Sequence, residues 1–151
     1  MNHYIIDGNN LIGRIKSLQH LQKKDKQSSR EKLIRMVSKH FAGKNAKLSL
    51  HFDGFQNVPL SISKGKIFYS EKESSDNLIR REIESSKNPR LIILITSDHS
   101  LMNIGKANSC TVISSGEFSS SIEKSLEKND EAEKIKELEN EKDEFLKLFK
   151  G

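Results

Sequence analysis

The sequence has little cysteine, few aromatic residues and no long hydrophobic run. Cys110 is the only cysteine among 151 residues, which excludes an internal disulfide and a zinc site built from several thiolates. We expect it to be a small buried apolar residue. No segment approaches the roughly 18 consecutive apolar residues of a membrane-spanning helix, and the N-terminus shows no signal-peptide pattern. The expectation is a protein that stays in the cytoplasm and does not associate with membranes.

The hydrophobic content limits the size of the core. Hydrophobic residues make up 34% of the chain, and even with its glycines added the chain stays below the roughly 45–50% usual for globular proteins. A length of 151 residues suits one domain better than two. We therefore expect a compact domain with a small core over residues 1–120, followed by a charged helical extension over residues 121–151.

Charge is distributed unevenly around a net charge of +5. Residues 1–50 carry 11 Lys or Arg against 3 Asp or Glu, residues 51–100 carry 7 of each, and residues 101–151 carry 8 against 11. A basic first third and an isoelectric point near 9.3 suit a polyanionic partner such as nucleic acid, although many basic proteins bind none. Charge alone leaves the question open.

Strands and helices alternate along the first 120 residues. Apolar runs and period-two patterns predict strands over residues 4–6, 48–52, 65–70, 91–95 and 111–113. Apolar residues at helical spacing, with capping signals, predict helices over residues 28–42, 74–88 and 98–105. The run at 91–95 is apolar on both faces, as in the centre of a parallel sheet. The alternation predicts a three-layer α/β domain with a central, mainly parallel sheet.

Several local signals refine this outline. Ser28 and Glu31 have capping-box spacing and predict the start of a helix, and Gly105 predicts the end of another. The stretch over residues 17–27 is rich in Lys and Gln without a usable period, so we expect a mobile loop.

The end of the chain combines high charge with a sparse apolar stripe. Ile122 and Leu126 continue a helix beyond Phe118, and the stripe goes on through Ile135, Leu138, Phe145 and Phe149. We expect a long C-terminal helix packed loosely on the domain or on a partner. A homodimer formed through this helix is one such arrangement.

Acidic side chains recur directly after predicted strands. Asp7, Asp53 and Asp98 each follow one, and Asp76 joins them if its helix starts at the same edge of the sheet. Like charges at about 4 Å repel by several kcal/mol even at an effective dielectric near 20, so a cation is expected among them. Each aspartate also has a plainer explanation, since Asp76 and Asp98 fit helix N-caps and the other two fit turns.

Carboxylate oxygens without a cysteine or a histidine pair favour Mg²⁺ or Mn²⁺ over zinc. An ion held in this way can activate water and stabilise the charge that develops on a phosphate, which is the chemistry of phosphodiester hydrolysis. A basic surface would attract the phosphate backbone while an acidic pocket retained the metal. His99 adjoins Asp98, but two-metal hydrolysis needs no side-chain acid, so we expect it to be a bystander.

Five segments carry this pattern in order along the chain. They are Ile5-Ile6-Asp7-Gly8-Asn9-Asn10-Leu11-Ile12, Phe52-Asp53-Gly54, Glu73-Ser74-Ser75-Asp76-Asn77-Leu78-Ile79, Ile95-Thr96-Ser97-Asp98 and Ser114-Ser115-Gly116-Glu117-Phe118. Together they resemble the NYN domain in its YacP-like branch, within the PIN-like nuclease superfamily. The resemblance covers about residues 3–120 and implies a PIN-like (Rossmannoid) fold and a metal-dependent ribonuclease.

The resemblance also implies roles for individual residues. Asp7, Asp76 and Asp98 match the catalytic, metal-binding carboxylates, and Asp53 matches a supporting metal-site residue. Asn10 matches the family asparagine that follows the first aspartate, where it would hold a carboxylate or a substrate phosphate. The chain departs from the family at two positions. Asn9 stands where the family has an aromatic residue, and Ser100 stands where many PIN-like proteins have a further acid.

Substrate contacts are expected from side chains near the same edge. Arg14, Arg80 and Arg81 lie close to it along the sequence, and the Ser97 hydroxyl could donate a hydrogen bond to a phosphate. For the arginines, a solvated helix surface is the plainer interpretation. Aromatic residues make up only 6% of the chain, and those at 41, 52 and 118 fit the core, so no base-stacking platform is evident.

These observations favour an endoribonuclease that uses Mg²⁺ or Mn²⁺ to cut single-stranded or unpaired RNA, whether messenger, transfer or ribosomal. The first alternative is a non-catalytic RNA-binding or ribosome-associated module with a degenerate metal site. A DNA nuclease is a further alternative, although the chain is short for gripping duplex junctions. A phosphatase of the haloacid dehalogenase type is disfavoured because Asn9 stands where its second aspartate belongs.

Overall fold

One parallel sheet forms the centre of the molecule. The structure is a computed structural model that describes the backbone of residues 1–150 and the side chains of residues 1–128 and 134–142. The strands are β1 (Asn2–Asp7), β2 (Ala46–Phe52), β3 (Gly65–Tyr69), β4 (Ile92–Ile95) and β5 (Thr111–Ile113). They lie in the order β3-β2-β1-β4-β5 with every neighbouring pair parallel. Each predicted strand is confirmed.

Helices cover both faces of this sheet. They are α1 (Gly8–Ile12), α2 (Lys16–Lys24), α3 (Lys26–His40), α4 (Ser75–Glu84), α5 (His99–Ala107) and α6 (Ser115–Lys150), with a short 3-10 helix at Pro89–Leu91. The first three helices and the start of α6 pack on one face, and α4 and α5 pack on the other. The predicted three-layer α/β fold is therefore confirmed.

Successive residues of β1 supply the two hydrophobic cores, because side chains alternate across a strand. Ile6 lies in the larger core with Leu33 and Phe118, whereas Ile5 lies in the smaller core with Ile79. Each such side chain contributes about 1.5–3 kcal/mol when fully buried. Cys110 is also buried in the smaller core, as expected from the sequence, and burial raises the pKa of its thiol.

The prediction of a mobile loop over residues 17–27 is wrong, because most of that stretch is helix α2. Ile15 and Leu18 are buried and attach the helix to the larger core. The Ser29 hydroxyl donates a hydrogen bond to the carbonyl oxygen of Leu18 at 3.1 Å, which ties α2 to α3. Lys and Gln are good helix formers, so two apolar anchors suffice even though they are too few to show a period.

Two predicted helix ends also differ from the structure. Helix α3 is capped by Asp25, whose carboxylate accepts the backbone N–H groups of Gln27 and Ser28, so Ser28 lies inside the helix. Helix α5 passes through Gly105 and ends at Ala107. A Cβ atom on Gly105 would lie 2.9 Å from a Leu94 methyl carbon, so this glycine allows the helix to pack closely on the sheet.

The C-terminal helix is continuous from Ser115 to Lys150, and the proposed domain boundary near residue 120 falls inside it. Ile122 is buried against the domain, whereas Ile135 and Leu138 are 57% and 63% exposed. Phe145 and Phe149, which the sequence adds to the apolar stripe, lie outside the described side chains. Within the described residues, no helix combines the length and the apolar character needed to cross a bilayer.

Candidate metal-binding active site

The register of the sheet places the ends of three strands side by side. Strand β1 ends at Asp7, β2 at Phe52 and β4 at Ile95, and these ends are adjacent in the paired register. Asp53 and Thr96 are the next residues after β2 and β4. They therefore flank Asp7 at the carboxyl edge of the sheet, where open α/β sheets bind their ligands.

Thr96 connects the first and last of the predicted acidic residues. Its buried hydroxyl donates a hydrogen bond to Oδ2 of Asp7 at 3.0 Å and accepts one from the backbone N–H of Asp98 at 3.1 Å. Oδ1 of Asp98 accepts a hydrogen bond from the backbone N–H of Leu101 at 2.9 Å. Asp98 is therefore the N-cap of α5, as the sequence also allowed. The cap uses Oδ1, and the Asp98 carboxylate is close enough to Asp76 to raise the pKa of that residue.

Asp7 is the buried centre of the cluster. Burial is the main cause that raises the pKa of Asp7 from 3.8 to about 6, and the neighbouring carboxylates of Asp76 and Asp53 contribute to the same rise. The Thr96 hydroxyl and the backbone of Asn10 partly offset this by stabilising the ionised form. The residue is only 4% exposed. Three carboxyl groups from distant parts of the sequence thus lie within electrostatic range of one another.

Asp76 lies in the first turn of α4 but does not cap it. The cap is Ser74, whose hydroxyl oxygen accepts a first-turn N–H at 3.3 Å, so the interpretation of Asp76 as the N-cap residue is wrong. Partial burial raises the pKa of Asp76, the carboxylates of Asp98 and Asp53 raise it further, and Arg80 lowers it. Asp76 therefore lies within electrostatic range of both Asp98 and Asp53.

Asp53 joins two helices to the edge of the sheet. Its Oδ1 accepts the backbone N–H of Ser75 at 3.0 Å, and its own N–H donates to Oδ1 of Asn9 at 2.8 Å. The side chain is otherwise exposed. Asn9, which stands where the family has an aromatic residue, thus fixes the backbone of Asp53. Asp53 fits the supporting place that the resemblance implies.

Asn10 holds together the loop after β4 and the start of α6. Its carboxamide oxygen accepts the backbone N–H of Ser97 at 2.9 Å and the hydroxyl of Ser115 at 2.7 Å. The Ser97 hydroxyl oxygen accepts the backbone N–H of Ser115 at 3.0 Å. The Ser97 proton remains able to donate to a ligand, whereas the oxygen of Asn10 is already used within the fold.

The three predicted arginines occupy different surroundings. Arg80 lies close enough to Asp76 to lower the pKa of that carboxyl. Arg81 is turned to Glu73, with two hydrogen bonds of 2.9 and 2.7 Å between the guanidinium and the carboxylate. Arg14 follows α1 as an exposed residue and makes no ion pair with any described side chain. Of the three, Arg80 is the one that the structure brings into electrostatic contact with the cluster.

A buried arginine that the sequence analysis did not single out supports the loop after β2. Arg30 of α3 donates hydrogen bonds to the carbonyl oxygens of Asp53 at 2.6 Å and Phe55 at 3.0 Å. Its guanidinium lies 5.3 Å from the ring centroids of both Phe52 and Tyr69. These contacts fix the backbone on which Asp53 sits.

A signal for Arg30 was present in the sequence. It precedes Ile34 by four residues and Val37 by seven, so a charged residue stands on the apolar face of α3. The roles of Thr96 and Ser115 had no such signal, because each depends on a partner in β1 or α1 that lies far away along the chain.

The chemistry of the donors fits a hard divalent cation, since the cluster offers carboxylate oxygens and no sulfur. In the part of the chain with described side chains, however, no three His, Cys, Asp or Glu residues lie close enough to coordinate a single ion together. Mg²⁺ commonly keeps several waters and takes one or two carboxylates directly. Burial is the main cause of the raised pKa of Asp7, and the carboxylates of Asp76 and Asp53 add negative charge that a cation would compensate. The arrangement therefore fits an ion held partly through water.

A comparison with known families gives the relationship. Residues 4–148 match the YacP-like NYN domain family. The chain belongs to this family. The resemblance of its five segments to the NYN domain of the PIN-like nuclease superfamily is thereby confirmed. The match extends past residue 120 and therefore covers most of α6 of this NYN protein.

Two crystal structures of Rae1 (YacP) from Bacillus subtilis share the fold of this NYN protein. One, of a mutant form, gives a TM-score of 0.74 at 18% identity and covers 91% of this chain and 85% of that chain. The other gives a TM-score of 0.68 at 19% identity and covers 99% and 93%. Similarity at this level of identity shows a common fold. No curated protein matches the chain.

Proposed function

We propose that this protein is a divalent-metal-dependent endoribonuclease that hydrolyses phosphodiester bonds in single-stranded or unpaired RNA. One observation carries the proposal. Asp7, Asp76 and Asp98 belong to three separate elements, and their carboxyl groups are coupled electrostatically around a buried member. Asp7, Asp76 and Asp98 would hold Mg²⁺ or Mn²⁺, with Asp53 in support.

When bound, the ion supplies an activated water and neutralises the charge that develops on the scissile phosphate and the leaving oxygen. The chain's own residues position and ionise the ligands. Asp7 must lose its proton to act as a ligand, and Thr96 favours the ionised form by donating to Oδ2. Asp98 keeps Oδ1 on the N-terminus of α5, and its Oδ2 would be the oxygen available to the ion.

Contacts to the substrate would come from the rim of this cluster. Ser97 is fixed through its backbone N–H by Asn10 and can donate its hydroxyl proton to a phosphate oxygen. Arg80 places positive charge beside Asp76, and Arg14 is an exposed cation after α1. Asn10 acts in this scheme as a positioning residue, because its carboxamide oxygen is bonded within the fold.

RNA is the substrate that the charge of the protein favours. The first 50 residues carry 11 basic against 3 acidic side chains, and such a surface attracts a phosphate backbone. Family membership agrees with this choice, because the YacP-like branch of the PIN-like superfamily implies ribonuclease activity. We therefore expect the target among messenger, transfer and ribosomal RNA in the cytoplasm.

The test is cleavage of a labelled single-stranded RNA by purified protein with Mn²⁺ or Mg²⁺, compared with a chelator and with Asp7→Asn. We expect cleavage by the wild-type protein with metal and none by the variant. Circular dichroism should show an unchanged fold, because asparagine keeps an acceptor for Thr96. Full activity in Asp7→Asn would exclude the mechanism.

A non-catalytic RNA-binding or ribosome-associated module is the second candidate. Two observations favour it. Ser100 stands where many PIN-like proteins have an acidic residue. Among the described side chains, no three His, Cys, Asp or Glu residues lie close enough to coordinate one ion together. Calorimetric titration with Mn²⁺ separates the two functions. Absence of binding at millimolar ion would favour the module, and binding that Asp7→Asn removes would favour the nuclease.

The exposed stripe of α6 is the proposed site of a homodimer. Ile135 and Leu138 leave apolar surface on a highly charged helix. Size-exclusion chromatography of the full chain and of a form ending near residue 128 tests this. A dimer that becomes a monomer on truncation supports the proposal, and a full-length monomer contradicts it.

A further inference from the structure

An exposed aromatic residue follows Asp53, a member of the acidic cluster, by two positions in the sequence. Phe55 follows Asp53 in the loop after β2 and is 58% exposed. Phe41, Phe52 and Phe118 are buried in the core as predicted, so they are not accessible to a nucleobase. Phe55 is therefore an exposed aromatic side chain on the same loop as Asp53.

The backbone that carries this ring is held from several directions. Arg30 donates to the carbonyl oxygen of Phe55 at 3.0 Å. The N–H of Gly54 donates to the Ser70 hydroxyl at 3.0 Å, and the carbonyl oxygen of Gly54 accepts the N–H of Glu71 at 2.8 Å. Gly54 has a φ of +87°, which favours glycine at the turn. The ring thus projects from a fixed support.

Positive charge lies at the same edge of the sheet. The contacts of Arg30 with the loop place the first turns of α3 beside Phe55. Lys26 is one turn before Arg30, and Lys23 and Lys24 end the preceding helix α2. All three lysines are exposed. An RNA strand crossing the ring would have these ammonium groups available for its phosphates.

We propose that Phe55 is a stacking platform for an unpaired nucleobase of the RNA, with Lys23, Lys24 and Lys26 contacting the adjoining phosphates. The inference rests on the proposed function, because it takes RNA as the substrate. A base on the Phe55 ring would sit beside the loop residue Asp53 and hence beside the carboxylate cluster. Paired bases cannot offer an open face, so the platform selects unpaired RNA.

The first test measures binding of a short single-stranded RNA that contains 2-aminopurine, in the presence of a chelator so that the strand stays intact. Fluorescence anisotropy reports affinity, and quenching of 2-aminopurine reports stacking. The variants are Phe55→Ala and the conservative Phe55→Tyr. Leu91→Ala is the matched control, because Leu91 is an exposed apolar residue at the opposite, amino end of β4.

We expect Phe55→Ala to weaken binding about tenfold or more and to remove the quenching, since stacking of one base is worth that much. Phe55→Tyr and Leu91→Ala should stay within about twofold of wild type, because the first keeps the ring and the second lies far from the site. Unchanged affinity and quenching in Phe55→Ala would overturn the proposal.

The lysines are tested by the salt dependence of binding. Changing Lys23, Lys24 and Lys26 together to glutamine should lower the slope of log affinity against log salt by about 2 for single-stranded RNA. The matched control replaces Lys39, Lys44 and Lys47 with glutamine. These exposed lysines lie from the end of α3 to the start of β2, at the opposite edge of the sheet. Equal slopes for the two triple variants would overturn the assigned path of the strand.

The outcomes distinguish this inference from the proposed nuclease. RNA that stacks on Phe55 but is not cut when metal is added would contradict the nuclease and support the platform. RNA that is cut equally well by wild type and Phe55→Ala, with equal binding, would do the reverse. Wild-type protein that binds no single-stranded RNA would overturn both.

Discussion

Thr96 donates a hydrogen bond of 3.0 Å to Oδ2 of Asp7, although 89 residues separate them in the sequence. The same hydroxyl accepts the backbone N–H of Asp98. One buried side chain therefore positions two members of the acidic cluster at once, and both links are lost if the hydroxyl is removed.

Thr96→Val removes this hydroxyl with little change in shape. We expect the pKa of Asp7 to rise further and the protein to lose about 1–3 kcal/mol of stability, because the N–H of Asp98 is left without its partner. Cleavage should then require a higher pH, and a pH profile of the rate measures this. Thr96→Ser keeps the hydroxyl and should restore the wild-type profile. Identical profiles for the valine variant and wild type would refute a positioning role.

Asp98→Asn separates the capping role of Asp98 from its role in the cluster. Asparagine caps a helix about as well as aspartate, so the free energy of unfolding should change by less than about 0.5 kcal/mol. Cleavage should be lost, because Asp98 is one of the proposed ligands of the catalytic metal.

The matched control is Asp25→Asn, since Asp25 caps α3 outside the acidic cluster. This variant should keep both its stability and its activity. Equal losses of activity in Asp25→Asn and Asp98→Asn would show that capping, and not the cluster, explains the effect.

The stability of the metal-free protein should depend on pH through Asp7. Its folded-state pKa of about 6 lies above the ordinary value of 3.8. Its contribution is therefore fully present below about pH 4 and is lost as pH rises through about 6, a loss of up to about 3 kcal/mol. At pH 7.5, metal-free Asp7→Asn should melt several degrees above wild type, and the difference should disappear near pH 4.

Thermal melts at the two pH values, with and without Mn²⁺, measure this effect. Saturating Mn²⁺ should raise the Tm of wild type more than that of Asp7→Asn, because the ion compensates the carboxylate charge. A wild-type protein with the same Tm as the variant at both pH values would show that Asp7 is not destabilised by its surroundings.

Arg30→Lys tests the support of the loop that carries Asp53 and Phe55. A single ammonium group cannot reproduce the two hydrogen bonds and the planar contact with the rings, so we expect a loss of about 1–3 kcal/mol. Arg35→Lys on the same helix changes an exposed arginine and should stay within about 0.5 kcal/mol. Urea unfolding compares them, and equal midpoints would contradict the role assigned to Arg30.

Gly8→Ala tests the close packing directly after Asp7. An added Cβ would lie 2.5 Å from the carbonyl oxygen of His51 and 2.9 Å from the Phe52 ring. We expect a loss of about 1–3 kcal/mol from the resulting strain. Gly116→Ala, where nothing lies within 4 Å, should instead stabilise α6 by up to about 1 kcal/mol. Similar stability of the two variants, measured by urea unfolding, would contradict the assigned packing.

Much of the fold could be predicted from local pattern. The apolar runs of β1 and β4, each followed by turn or capping residues, indicated parallel strands that deliver acids to one edge. The same argument selected Asp7, Asp53 and Asp98 as neighbours, and it included Asp76 on the condition that its helix starts at that edge. Helix α2 was missed because two buried residues, Ile15 and Leu18, are enough to anchor it but too few to give a period.

The sequence by itself determined the alternation of strands and helices, because backbone preference and side-chain periodicity act between near neighbours. Only the tertiary structure decided that Thr96 bonds Asp7, that Asn10 bonds Ser115 and that Arg30 supports the Asp53 loop. The physical reason is that these contacts form when parallel crossovers bring distant segments to one edge of the sheet, where their geometry depends on packing that no local pattern records.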